Sequence, residues 1–191
     1  PLLRGRNIGY YEILDSCSGE FVSKDFIENS KKSRYIKEKR IVCQQVVNMK
    51  KERRVTFALV EENYVLGNSC NFISVMDNDY NIDLYAILGL FNTSIINWLF
   101  KLTSSNNHVN NYEIDCFPVP IGSPYLNKIS NLVKKYLSNK DSSLLEKIEE
   151  YAYIAYGIRE AKEDNEDKDD IVNLKETNDI IKKYYSAIKH V

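Results

Sequence analysis

Short apolar runs separated by turn residues fill the first half of the chain, a pattern typical of β-strands. The runs are rich in Val, Ile, Phe and Tyr, the residue types that favour a half-buried, pleated surface. Strands are predicted over Ile8–Leu14, Arg40–Val47, Val55–Val60, Asn63–Gly67, Cys70–Met76 and, last, Tyr112–Val119. The short turns between several of these runs predict a mostly antiparallel sheet.

Helical patterns first interrupt the strands and then replace them. The uncharged run Leu84–Phe100 predicts a helix that starts at an Asn81 or Asp83 cap. This helix is expected to break at residues 92–94 and to resume to about Lys101. The run therefore predicts a packed pair of helices within the β domain.

After Pro120 the apolar residues recur every three or four positions, which predicts amphipathic helices. The first helix starts at Pro124, the second covers Leu144–Tyr156, and a third is capped by Thr177 or Asn178. The predicted fold class is α+β. Residues 1–122 form a mixed, mostly antiparallel β domain with a packed helix pair, and residues 123–191 form a C-terminal helical tail.

Composition restricts the class of protein further. A chain of 191 residues, 43% of them hydrophobic, can bury a core. It begins at Pro1 rather than at Met, so we expect it to be a piece of a longer protein. Its four cysteines form no CxxC pair, which indicates buried thiols in a reducing cytoplasm. Asn92 and Asn97 lie inside the long uncharged run, so no membrane span is expected there.

The sequence lacks the common catalytic motifs. GxGxxG, the P-loop, HExxH and GxSxG are all absent, and His108 and His190 stand far apart. We therefore predict no catalytic residue and no metal site, and we do not expect the chain to be an enzyme by itself.

Positive charge is concentrated in one segment. Residues 31–54 hold ten basic side chains against Glu38 and Glu52, and the basic residues form two clusters around the predicted strand with Gln44 and Gln45. Lysine and arginine bind phosphates, and an amide can pair with adenine through two hydrogen bonds. Alternation along a strand lets at most one of the two glutamines face DNA. A solvated loop–strand–loop is the alternative interpretation.

The candidate DNA-binding residues follow from this pattern. The candidates for phosphate contacts are Arg34, Lys37, Lys50, Lys51, Arg53 and Arg54, with Lys31 and Lys32 as second choices. Gln44 and Gln45 are the candidates for reading bases. Arg4 and Arg6 are candidates either for DNA contact or for a structural salt bridge, and Gly5 between them indicates a tight backbone site. The asparagines Asn106, Asn107, Asn110 and Asn111 form either a groove-reaching loop or a plain surface turn.

Several segments of the sequence resemble the motifs of one family and follow the same order along the chain. They are "PLLRGRNIGYY", "KRIVCQQVV", "NSCNFISV" followed by "LYAILGLFNTSIINWLF", and "NNYEIDCFPVP". Together they resemble the TaqI-like C-terminal specificity domain of N6-adenine DNA methyltransferases and type II restriction-modification enzymes. The phrase "EKIEEYAYIAYGI" is similar to the helix that follows such domains, so the resemblance covers about Pro1–Ile158. Asn7 stands where the family has Asp, which puts any contact of that carboxylate in doubt.

The resemblance implies a target recognition domain that reads double-stranded DNA. Its implied partners are DNA and an N-terminal methyltransferase or nuclease domain of the same parent chain. The parent is then a site-specific adenine methyltransferase, a restriction endonuclease or both, and S-adenosylmethionine is expected only in its catalytic domain. The oligomeric state stays open. The alternative is a protein-interaction module whose helical tail docks partner subunits, as in type I specificity subunits.

Overall fold

A computed structural model of the chain describes residues 1–14, 19–75 and 80–159. Two compact units emerge. Residues Pro1–Asp79 and Ile96–Asp115 form the sheet unit, and Tyr80–Ile95 and Cys116–Val191 form the helical unit. This division differs from the predicted boundary at residue 122, because residues 80–95 group with the C-terminal helices rather than with the strands.

The sheet unit is built around one central strand. Its strands are β1 (Leu2–Leu3), β2 (Arg40–Gln44), β3 (Phe57–Val60), β4 (Val65–Leu66) and β5 (Cys70–Ile73). β2 pairs antiparallel with both β3 and β5, and β1 pairs parallel with β4. The α+β class and the mostly antiparallel sheet are thus confirmed, and β2 to β5 lie within the predicted runs.

A buried apolar cluster holds these strands together. Its members are Leu3, Ile8, Val42, Ala58 and Val60, all at most 1% exposed. They come from β1, β2, β3 and the segment after β1, so the cluster joins the two sheets of this unit. Each fully buried Leu, Ile or Val side chain contributes on the order of 1.5–3 kcal/mol by leaving water.

The predicted strand Ile8–Leu14 is wrong. These residues form a turn in which the Gly9 N–H donates to the Glu12 carbonyl at 2.9 Å. Tyr11 has a φ of 58°, the left-handed region, which no strand residue adopts. A bridge between Ile8 and Ile13 is the β-type pairing recorded within the turn. The apolar run reflects packing of Ile8 and Tyr11 into the core, not a pleated strand.

The predicted last strand, Tyr112–Val119, is also wrong, because its first part is the helix α4 (Asn111–Asp115). Asn110 precedes this helix, and its N–H donates to the Glu113 carboxylate at 2.8 Å. An asparagine followed three residues later by a glutamate is a helix-start signal. Pro118 and Pro120 follow and exclude a continued helix. The capping pair therefore outweighs the apolar alternation.

Two further helical turns lie on the surface of the sheet unit. Helix α1 (Lys24–Glu28) starts at Ser23, whose hydroxyl accepts the Phe26 N–H. A 3-10 helix over Ser33–Lys37 leads into β2. Neither contains a buried residue, and none of residues 19–39 is buried.

The helical unit packs three helices: α2 (Leu84–Phe91), α5 (Tyr125–Asn139) and α6 (Ser143–Ala155). Asp83 is the N-cap of α2, as predicted, and its carboxylate accepts the Tyr85 N–H at 2.8 Å. Gly89 allows α2 to approach α5 closely, since a Cβ there would lie 2.5 Å from Ile129 Cγ2. The apolar spacing after Pro120 thus predicted α5 and α6, whereas the third tail helix at Thr177 lies outside the described residues.

Helix α3 (Ser94–Thr103) follows α2 after Asn92 and Thr93, at the predicted break. The Glu149 carboxylate of α6 accepts both the N–H and the hydroxyl of Ser94 at 2.8 Å, which satisfies donors at the start of α3. Within the described residues no single helix is long and apolar enough to cross a membrane, and only α2 and α3 taken together across their bend reach that length and composition.

The cysteines are less uniform than predicted. Cys43 is buried in β2, and burial raises the pKa of its thiol. Cys70 is partly buried, and burial raises the pKa of its thiol to about 11. Cys116 is exposed, contrary to the prediction, and Cys17 lies outside the described residues.

Candidate nucleic-acid interface

The ten basic residues of segment 31–54 fall into distinct structural classes. Lys39 forms an ion pair with Glu61 at 2.9 Å. Arg40 is buried, and its guanidinium donates to the Tyr64 carbonyl at 2.6 Å. Burial lowers the pKa of Arg40, and the charge of Glu38 acts in the opposite direction. Arg54 is buried as well. The other seven side chains form two clusters that lie before and after β2.

The pre-strand cluster consists of Lys31, Lys32, Arg34 and Lys37. All four are exposed, and they lie on or next to the 3-10 helix that leads into β2. The Arg34 guanidinium stacks 4.6 Å above the Tyr35 ring and donates to the Tyr35 hydroxyl at 2.6 Å. The Tyr35 ring in turn packs against Phe72 of β5. Arg34 is thereby attached to the sheet through one aromatic side chain.

The post-strand cluster consists of Lys50, Lys51 and Arg53, in the turn between β2 and β3. Asn48 shapes this turn, since its side-chain oxygen accepts the Lys50 N–H at 2.9 Å. Lys50 and Lys51 are exposed. The Arg53 guanidinium lies 4.5 Å from the centre of the Tyr10 ring, a cation–π distance.

The buried side chain of Arg54 holds this turn to the interior of the sheet unit. It is 8% exposed, and its two terminal nitrogens donate to the carbonyls of Ser104 at 3.2 Å and Asn106 at 2.9 Å. Its guanidinium also lies 5.2 Å from the centre of the Phe100 ring. A side chain used in this way does not reach a phosphate at the surface. The predicted phosphate contact of Arg54 therefore does not fit its position.

Asn97 of α3 holds the same turn through its amide. Its oxygen accepts the Arg54 N–H at 2.8 Å, and its nitrogen donates to the Glu52 carbonyl at 3.0 Å. No charge or motif in the sequence marks this role. The signal available was a polar residue inside an otherwise apolar helical run, which predicts that a buried partner exists without saying which.

The two glutamines differ in what they contact. The Gln44 side chain donates to the Ile8 carbonyl at 3.0 Å, so its amide is engaged inside the sheet unit. Gln45 follows β2. Its N–H donates to the Ser69 carbonyl at 2.9 Å, and its carbonyl accepts the Val109 N–H at 2.8 Å. This backbone pairing fixes the position from which the partly exposed Gln45 side chain projects.

The candidates Arg4 and Arg6 form ion pairs within the protein. Arg4 and Arg6 both pair with Glu20, at 2.6 and 2.9 Å, which is the salt-bridge alternative. The hydrogen bond from Arg4 lowers the pKa of Glu20, and the charges of both arginines add to this. The predicted tight site at Gly5 is confirmed, because a Cβ there would lie 2.6 Å from the Ser69 carbonyl oxygen.

Asn7 has a structural role that its amide explains. The side chain is 3% exposed, its oxygen accepts the Arg4 N–H at 2.9 Å, and its nitrogen donates to the Leu14 carbonyl at 3.2 Å. A carboxylate could accept the first bond but could not donate the second. The amide thus joins the two ends of the 7–14 turn.

Two of the four asparagines in the predicted loop form hydrogen bonds within the protein. The Asn106 side chain accepts the His108 N–H at 2.8 Å, and Asn110 caps α4. Asn107 and Asn111 are exposed. Among the described residues no group of three or more His, Cys, Asp or Glu side chains is placed to hold a metal ion.

One comparison with known proteins identifies the family. The family model of the TaqI-like C-terminal specificity domain matches residues 1–119, more than half of the chain. The chain therefore belongs to this family, as its sequence phrases predicted. No curated protein matches the chain.

Proposed function

We propose that this TaqI-like specificity domain binds duplex DNA and reads its sequence, and that its sheet unit carries the contacts. The observation that carries the proposal is the pair of exposed basic clusters at the two ends of β2. Phosphate neutralisation supplies a large share of the affinity of a DNA-binding protein, and contacts to base edges read the sequence. In this proposal the two clusters contact the phosphates, and the partly exposed Gln45 between them reads a base.

The spacing of the clusters supports the same function. A strand of five residues such as β2 is on the order of 17 Å long, at about 3.4 Å per residue. The major groove of B-DNA is about 12 Å wide, and phosphates line both of its edges. The strand between the two clusters thus has a length of the same order as the width of a groove.

We assign the candidate residues different roles in this proposal. Arg34, Lys37, Lys50, Lys51 and Arg53 contact phosphates, and Lys31 and Lys32 contribute less. Arg54 supports the turn from the interior instead of touching DNA. Gln45 is the base reader, because the Gln44 amide already donates to the Ile8 carbonyl.

The parent protein in this proposal is a type II restriction-modification enzyme or an adenine-specific DNA methyltransferase. Its catalytic module, which binds S-adenosylmethionine when it methylates, is separate from the residues described above. This part of the proposal rests on the family, whose members are specificity domains and not catalytic ones. The present chain then selects the site and performs no chemistry.

DNA binding is tested by fluorescence anisotropy with a labelled duplex of mixed sequence in a salt series. If about five phosphates are neutralised, log K falls with log salt at a slope of about −4.5. Charge reversal at Lys50 and Lys51 should weaken binding strongly. The matched control is reversal at Lys135 and Lys147, which are equally exposed lysines of the helical unit. Absence of binding even at low salt would refute the proposal.

The alternative, a module whose helical tail docks partner subunits, rested on the apolar stripes of the tail. In the structure Ile129, Val133 and Ile148 of these stripes are at most 1% exposed inside the helical unit. The stripes are therefore explained by packing among α2, α5 and α6 and do not by themselves indicate a docking surface.

A further inference from the structure

Helix α3 carries two large apolar side chains in water. Trp98 is 60% exposed and Leu102 is 68% exposed, whereas Ile96 and Phe100 on the opposite side of the helix are fully buried. Trp98 and Leu102 are four residues apart and so lie on one face, with exposed Lys101 beside them. We call these three residues the α3 face.

Hydrogen bonds connect helix α3 to the turn that carries the post-strand cluster. Asn97, next to Trp98 in the helix, bonds the backbone of Glu52 and Arg54. In addition, the Arg54 side chain donates a hydrogen bond to the carbonyl of Ser104, the residue just beyond the end of α3. Two separate sets of hydrogen bonds thus fix the turn that carries Lys50 and Lys51 to the helix that carries Trp98.

Charge indicates what this surface binds. Lys101 lies on α3 itself, and Lys50 and Lys51 lie on the turn that Asn97 bonds. All three lysines are exposed, and Glu52 is the exposed acid of that turn. An apolar patch with a local excess of positive charge suits a polyanion that also has flat apolar groups. Nucleic acid has both, because its bases have π-faces and its phosphates are charged.

We propose that Trp98, with Leu102 beside it, packs against a base of the bound DNA at a step where the stack is opened. Lys50, Lys51 and Lys101 hold the adjacent phosphates. Apolar side chains that enter between base steps are a known means of deforming duplex DNA, and aromatic side chains stack on exposed bases. The inference rests on the proposed DNA binding and adds a second kind of contact to it.

The single tryptophan of the chain makes this testable directly. Acrylamide quenches exposed tryptophan, so its access to Trp98 should fall when a mixed-sequence duplex is added. Trp98→Ala should weaken DNA binding by about tenfold, the scale of an aromatic stacking contact. An abasic site or mismatch, which opens the stack, should bind wild type more tightly but should give Trp98→Ala little gain.

Tyr112→Ala is the matched control. Tyr112 is a 66% exposed aromatic of the same unit, on α4 beside acidic residues. Its replacement should change affinity by no more than about twofold, as for an ordinary surface substitution. Leu102→Ala gives a second variant at an exposed position, where loss of folding is not expected, and circular dichroism checks this for all three proteins.

The outcomes separate the two proposals. Binding of DNA with unchanged acrylamide access to Trp98 overturns the α3-face inference and leaves the proposed function intact. Absence of DNA binding overturns both. Protection of Trp98 by the catalytic module of the parent protein, without DNA, would assign the α3 face to a protein contact and also overturn the inference.

Discussion

The pre-strand and post-strand clusters look equivalent in sequence but differ in how the fold holds them. The post-strand turn is fixed by the buried Arg54 side chain and by the amide of Asn97. The pre-strand cluster lies in a segment, residues 19–39, that contains no buried residue. Its attachments to the sheet unit include the contact from Arg34 through Tyr35 to Phe72 and the hydrogen bond from the Asn63 N–H to the Ile36 carbonyl at 2.8 Å.

This difference separates two ways of contributing to binding. Charges on a preorganised turn lose little conformational entropy when they meet a phosphate, whereas charges on a surface segment must be ordered first. We therefore expect the post-strand cluster to set the register on DNA. The pre-strand cluster should adapt to it and contribute less per charge.

The largest effect is expected from removing the anchor of the post-strand turn. Arg54→Ala should lower the free energy of unfolding by about 3 kcal/mol, because it deletes charged hydrogen bonds and leaves the Ser104 and Asn106 carbonyls without them. Urea unfolding measures this. DNA affinity should fall as well, since the turn loses its fixed shape.

Two substitutions sharpen that test. Arg53→Ala, at the neighbouring and partly exposed position, should cost no more than about 1 kcal/mol. Arg54→Lys should recover only part of the loss, because an ammonium lacks the planar fork that reaches two carbonyls. If Arg54→Ala were as stable as wild type, the difference between the two clusters would have no structural basis.

The second prediction compares the clusters directly in a salt series. Lys50→Ala/Lys51→Ala removes two preorganised charges and should make the slope of log K against log salt shallower by about 1.8. At about 0.1 M salt this corresponds to roughly 60-fold weaker binding. Lys31→Ala/Lys32→Ala should change the slope by less than about 0.9. Equal changes for the two pairs would mean that preorganisation plays no part.

Much of the fold follows from patterns that are local in sequence. The runs around β2, β3 and β5, the Asp83 cap, the break at Asn92 and the amphipathic spacing of α5 and α6 each depend on neighbouring residues. The two wrong strands failed for local reasons too. A left-handed residue at Tyr11 and a capping pair at Asn110 and Glu113 outweighed apolar alternation.

The burial and contacts of the candidate residues could not be predicted in the same way, because they depend on residues distant in sequence. Arg53 and Arg54 are adjacent and identical in type, yet one projects over Tyr10 and the other is buried against residues 50 positions away. Charge counting treats both alike. Only the fold shows that the Ser104 and Asn106 carbonyls lie within hydrogen-bonding distance of Arg54.

The third prediction concerns the strand between the clusters. Gln45→Leu should relax the preference at one base pair by about 1–3 kcal/mol while leaving stability nearly unchanged. Gln44→Leu should do the reverse and cost about 1 kcal/mol of stability, since it removes the bond to the Ile8 carbonyl. Selection from a randomised duplex pool measures the preference. If the selected DNA sequence changed for Gln44→Leu and not for Gln45→Leu, Gln44 would be the base reader instead of Gln45.

The smallest effect is expected at Arg4 and Arg6, which differ from both clusters because they already face an acid. Their contact with Glu20 holds the pKa of that carboxyl below its usual value, mainly through the hydrogen bond from Arg4. The folded state therefore binds a proton at Glu20 less readily than the unfolded chain does. The contact stabilises the fold at pH values above the ordinary glutamate pKa, and this contribution is lost as the pH falls through the lowered pKa.

Glu20→Gln should remove this contribution, so the urea midpoint of the variant should fall less than that of wild type between neutral and acidic pH. Parallel pH profiles for wild type and Glu20→Gln would show that the ion pair contributes nothing, and Arg4 and Arg6 would then rejoin the candidates for DNA contact.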